Sequence, residues 1–370
     1  MNIKGIVKTV LCIFIGIYFL SAKTYAEEAY NFGQSEMESA LPDSARAELE
    51  DIGINAESGA EGLSAENVFK KIWDLVCDEA AKPISIFISV TGVIILSALI
   101  QSMQGDENDV TSAFASVGVV ACAGIICTSF GYVMSAAKIA VEGLSSFLSV
   151  YVPVFAGIMA ANGQTASAAA YNGIITVSTE LFCQLFSLFI FPLASCIMGI
   201  SVAGAFNPDL RINSMAEGVK KLLNWCLTFV MTVFVGILSV QSFVGAAADS
   251  VAIRAAKFTV SGAVPIVGGA VSEALMTVKG SIGVIKASTG SYGIIASAAV
   301  MLPSVISLFL FRLVLVISSA LSDTFGTSRI TVLLKCGESI ISIIIAVMIS
   351  FWTLGVVSTA LMLVIGGGGV

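Results

Sequence analysis

Seven stretches of this chain contain no Asp, Glu, Lys or Arg: residues 83–105, 110–137, 143–179, 181–208, 222–248, 287–311 and 339–370. A helix needs roughly 20 apolar residues to cross the hydrocarbon of a bilayer, and each stretch reaches that length. Backbone in hydrocarbon must satisfy its own hydrogen bonds, so apolar runs of this kind predict membrane-crossing helices. The expected fold class is all-α: a polytopic integral membrane helical bundle with about seven spanning or partly spanning segments. Three helical hairpins can be drawn within a membrane domain of residues 83–370, at about 84–136, 187–244 and 300–364.

The segments before residue 83 follow other patterns. Residues 1–26 read as a signal peptide, with Lys4 and Lys8 at the start, Thr9 to Leu20 as the apolar centre and Thr24-Tyr25-Ala26 as the cleavage site. An uncleaved first anchor is the alternative. If cleavage occurs, the mature chain begins outside the cytoplasm at Glu27. Residues 27–62 are acidic and rich in Gly, Ser and Ala, and are expected to form a flexible extracytoplasmic region. In residues 63–82, Phe69, Ile72, Trp73 and Val76 recur at helical spacing, which predicts an amphipathic interfacial helix ended by Pro83. A short helix packed on the protein itself would show the same pattern.

The membrane region repeats itself. Ser187-Leu188-Phe189-Ile190-Phe191 matches Ser307-Leu308-Phe309-Leu310-Phe311, Arg211-Ile212 matches Arg329-Ile330, and Gly236-Ile237-Leu238-Ser239 matches Gly355-Val356-Val357-Ser358. The connectors match as well. Val152-Pro153-Val154 with Gly157 corresponds to Val264-Pro265-Ile266 with Gly269, and Tyr171-Asn172-Gly173 corresponds to Tyr292-Gly293. Proline removes a backbone donor and glycine relaxes the chain beside it, so Pro153, Gly157, Pro265, Gly268 and Gly269 are candidate broken-helix positions. Interrupted apolar segments at matching places in two repeats point to a midplane site in transporters. Ordinary Pro-kinked helices filling space between hairpins would read the same way.

Composition narrows the chemistry. Charged residues make up 12% of the chain, against about 25% in soluble domains. There is no histidine, which removes the commonest general base and metal ligand. The eight cysteines show no CxxC spacing. No phosphate-binding G-x-x-x-x-G-K-[ST] loop is present. No catalytic, cofactor-binding or metal-binding residue is therefore expected, and no cofactor. The formal charge of −7 hides a net of −10 in residues 27–82, with fourteen acidic and four basic residues, and a slightly basic remainder; nothing supports nucleic-acid binding. Charges inside spans are costly and mark function by default, which singles out Glu180 and Arg312. They would pair with each other, line an aqueous path, or snorkel to headgroups. Asp249, Arg254 and Lys257 lie in a polar stretch whose stripe suits a partner surface or contact with the lipid bilayer's headgroups.

The run Asp249-Ser250-Val251-Ala252-Ile253-Arg254-Ala255-Ala256-Lys257-Phe258, preceded by Val240-Gln241 and followed by Val264-Pro265-Ile266-Val267-Gly268, resembles the stage III sporulation protein AE family. Gly280-Ser281 and Ile285-Lys286 continue that signature. The resemblance spans about residues 65–365. It implies a membrane subunit of a channel-like or secretion-like complex linking mother cell and forespore during spore development. It further implies a place in the mother-cell membrane around the forespore, and partners including a separate ATPase and ring-forming membrane proteins. It implies no substrate and no catalytic residue. A secondary transporter of a small solute, suggested by the repeat and the broken segments, stands as the alternative.

Overall fold

The computed structural model describes residues 33–56, 59, 65–103, 109–206, 212–263 and 268–367. The expected signal peptide and Pro265 lie outside them.

Two short helices, α1 (Gln34–Ser39) and α2 (Asp43–Ile52), precede the long ones. Then come α3 (Ala65–Met103), α4 (Asp109–Ala161), α5 (Thr165–Leu185), a π turn (Phe186–Ile190) leading into α6 (Phe191–Phe206), α7 (Ile212–Ala263), α8 (Gly268–Thr324) and α9 (Ser328–Gly367). Among the described residues, six helical stretches are long and apolar enough to cross a membrane, counting α5 and α6 as one. The protein is an all-α polytopic membrane bundle, and its described residues form six long rods where the charge-free runs predicted about seven segments.

The difference lies in the connectors. Pro83, Pro153 and Pro303 all sit inside unbroken helices. Proline deletes one backbone donor, and in apolar surroundings that loss is smaller than the cost of unpairing a whole turn. Hence Pro83 does not end the 63–82 helix, which continues into the first span, and Pro153 does not break its connector. The break falls nine residues later, at Asn162-Gly163-Gln164. Gly163 there adopts φ +82, a left-handed conformation that a side chain would strain, and the Gln164 amide donates to the Met159 carbonyl at 3.0 Å. Pro153 and Gly157 are both exposed on the outer face of α4.

The acidic region also differs from expectation. Met37, Leu41, Ala45 and Leu49 are each at most 4% exposed and join the main core through α1 and α2. Ala45 and Leu49 lie one turn apart on α2, and Met37 of α1 and Leu41 of the turn between the helices face the same core, a pattern hidden in the sequence by the acidic residues between them. Pro42 rests near Gly143 of α4, and Gly33 near Val154. Asp51 of α2 pairs with Lys71 of α3 at 2.8 Å. That hydrogen bond holds the Asp51 carboxyl below the usual carboxylate range, so the pair is present at neutral pH and loosens as acid protonates Asp51.

At the centre, Phe147, Tyr151 and Phe155 stack at 5.4 and 5.6 Å along α4, and Tyr171 of α5 meets Phe155 edge-on. Tyr171 and Tyr292, the matched connector tyrosines, are both about 1% exposed. The matched Leu188 and Leu308 part company: Leu188 is 67% exposed and Leu308 is buried. The next matched residues, Phe189 and Phe309, are both exposed.

Candidate functional site: a buried polar node at the 162–164 turn

The 162–164 turn collects the buried polar groups of four helices. Asp249, 4% exposed, reaches across from α7 and accepts hydrogen bonds from the backbone amides of Ala166 (2.8 Å) and Ser167 (3.1 Å). These are first-turn donors of α5 with no intrahelical partner, and the positive end of the helix dipole favours the carboxylate. Gly245 permits the approach, because a Cβ at that position would lie 3.0 Å from the Cα of Ser167. Asp249, four residues on, then projects from the same face of α7.

Lys286 provides the opposite half. It is 3% exposed, and its ammonium donates to Gln164 Oε1 at 2.9 Å and to the Met362 carbonyl at 2.5 Å, in the last turns of α9. A cation there suits the negative end of that helix. The node therefore sets an anion on a helix start and a cation on a helix end, and ties α5, α7, α8 and α9 at one level. The Asn162 side-chain oxygen and the Ser167 hydroxyl are buried without a protein hydrogen-bond partner.

The candidate residues fare differently. Asp249 belongs to the node, but as a buried helix anchor and not as part of an exposed partner surface. Arg254 is exposed on α7; the side chain of Lys257 and the surroundings of Gly268 and Gly269 at the start of α8 lie outside what is described. Glu180 and Arg312 do not meet. Glu180 is exposed and accepts from Gln184 one turn on at 2.8 Å, whereas Arg312 pairs with Glu338 of α9 at 3.4 Å. Pro153 and Gly157 stay outside the node. Lys286 and Gln164 are missing from the sequence-based candidates: Lys286 borders a charge-free stretch and reads as its edge, and its partners are 122 and 76 residues away.

A groove of 750 Å³ opens on the outer side between α7 and α9, lined by Asn224, Thr228 and Thr232 against Ser350 and Thr353. The Thr228, Thr232, Ser350 and Thr353 hydroxyls donate to carbonyls of their own helices.

No solved structure matches this chain. The stage III sporulation protein AE of Bacillus subtilis (strain 168) is 24% identical over 343 residues, covering 90% of this chain and 84% of that protein. The sequence profile for stage III sporulation protein AE matches residues 47–366, which takes in α3 to α9 and every residue of the node. This chain belongs to the stage III sporulation protein AE family.

Proposed function

We propose that this sporulation membrane protein works as a subunit of a channel-like or secretion-like complex between mother cell and forespore, seated in the mother-cell membrane around the forespore. A separate ATPase and ring-forming membrane proteins are its expected partners, since the chain carries no phosphate-binding loop of its own. The observation that carries this reading over a self-sufficient transporter is where the charges go. Arg312 is paired with Glu338, Glu180 bonds to Gln184 on the outer face, and Asp249 and Lys286 hold helix ends. A transporter needs such groups around a substrate path. With them engaged in structure, the remaining features suited to recognition lie on the outside, among them Arg254 and the α7–α9 groove.

Arg254→Glu tests this on a surface that the fold does not need. Membrane abundance is expected to stay within about twofold of wild type, because exposed substitutions rarely cost more than ~0.5 kcal/mol. Partner co-purification and heat-resistant spore yield are expected to fall at least about tenfold, the effect of losing roughly 1.4 kcal/mol of contact. Full spore yield with normal partner recovery would remove Arg254 from the docking surface.

A further inference from the structure

The six rods are longer than one bilayer requires. At 1.5 Å per residue, α4 and α8, with 53 and 57 residues, run about 80 and 85 Å, against a hydrocarbon thickness of about 30 Å. Exposed charge divides them. On one side stand the ends of α3, α6 and α8, with Glu217, Lys221, Asp323 and Lys335 exposed at that level. Part-way along, a second set projects from three neighbouring helices: Lys82 of α3, Lys138 and Glu142 of α4, and Glu180 of α5. The Lys82 ammonium sits over the ring of Tyr132, 3.8 Å from its centroid, as an aromatic residue and a lysine do at a headgroup boundary.

On α4 and α5 the outer surface changes character across that second set, whereas α3 and α7 stay apolar above it, with Phe69, Trp73, Phe243, Val251 and Phe258 exposed. Below it the exposed side chains are large and apolar, such as Ile88, Leu96, Val120, Leu188, Phe189 and Phe229. Above it α4 and α5 expose Ser146, Ser149, Pro153, Gly157, Thr165 and Thr176. The residue 33–56 cap packs at this upper level, with Pro42 near Gly143 and Gly33 near Val154, and its own Glu36, Asp43, Glu50 and Asp51 are exposed. Hydrocarbon at the height of residues 143–154 would surround those four carboxylates, each costing several kcal/mol in a membrane interior.

We propose that a single bilayer covers only the part of the bundle between the two sets of charge, and that the remainder of the rods stands outside it as a helical head. The head contains α4 from Lys138 to Ala161, α5 up to Glu180, the α1–α2 cap and the polar node. From Lys138 to Ala161 it rises about 35 Å past the boundary. Beyond the 162–164 turn, α7 and α8 continue further still, since Asp249 and Lys286 meet that turn well short of their helix ends. Asp249 and Lys286 are then buried in protein above the headgroups and do not lie at the membrane midplane. This placement does not depend on the proposed complex.

Native cysteines allow a direct test on the full chain in lipid nanodiscs, where both faces meet water. Cys77 is exposed above the boundary, whereas Cys127, Cys196 and Cys226 are exposed below it. A charged, water-soluble maleimide should label Cys77 at least tenfold faster than those three, and detergent should abolish the difference. Ser149→Cys and Thr176→Cys, both at exposed positions, should label at the rate of Cys77. Protection of those two at the level of Cys127 would place the head in hydrocarbon and overturn the proposal. Rapid labelling of Cys127 and Cys196 in nanodiscs would overturn it equally, even if neither variant folded.

Discussion

Gly293→Ala is expected to destabilise the protein by about 3 kcal/mol, the upper end of core overpacking. A Cβ at this position would fall inside the ring of Tyr151, which is 1% exposed and held between Phe147 and Phe155. The ring cannot step aside, because both stacked neighbours are themselves fully buried. On helix propensity alone the same change would stabilise by up to about 1 kcal/mol, so the two effects predict opposite signs. The check is the thermal midpoint in detergent for Gly293→Ala, Tyr151→Ala and the pair. Tyr151→Ala alone should cost about 3–5 kcal/mol through its cavity. Together the two changes should cost less than their sum, since the new methyl then has room. A neutral or stabilising Gly293→Ala would mean that α4 and α8 do not approach as described.

Asp249→Ala should cost roughly 2–4 kcal/mol, from losing a helix-start acceptor and leaving the Ala166 and Ser167 amides buried without one. Asp249→Asn keeps a side-chain oxygen for one amide and should cost about half as much. Both are read from thermal midpoints, with proteolysis near residues 162–167 as the local probe. Equal midpoints for wild type and Asp249→Ala would show that the carboxylate does not anchor α5.

The membrane class was legible because long charge-free runs leave helices as the answer whatever the side-chain order. The helix ends at Met103, Phe206 and Thr324 were legible for the same reason, as each falls where polar residues return. Pro153 misled because proline is a strong breaker in water-exposed helices, while here the break went to Gly163, where the backbone can turn left-handed. The docked cap was hidden by composition: Met37, Leu41, Ala45 and Leu49 are all buried, but the acidic residues around them resemble a solvated tail. The node could be only half seen. Asp249 stands out as a charge at the end of an apolar run, yet its task depends on amides 83 and 82 residues away. Long-range pairing of this kind leaves no mark in local periodicity.

Joint action with partners is tested most directly by extracting the tagged full-length protein from sporulating cells in mild detergent. Its size and companions can then be measured by gel filtration with mass spectrometry. Membership in a complex predicts that most of the protein elutes well above the size of its 38.3 kDa chain, together with other membrane proteins made during sporulation. Elution of the chain alone from the same cells, with solute uptake driven by an ion gradient once that lone chain is placed in liposomes, would contradict it.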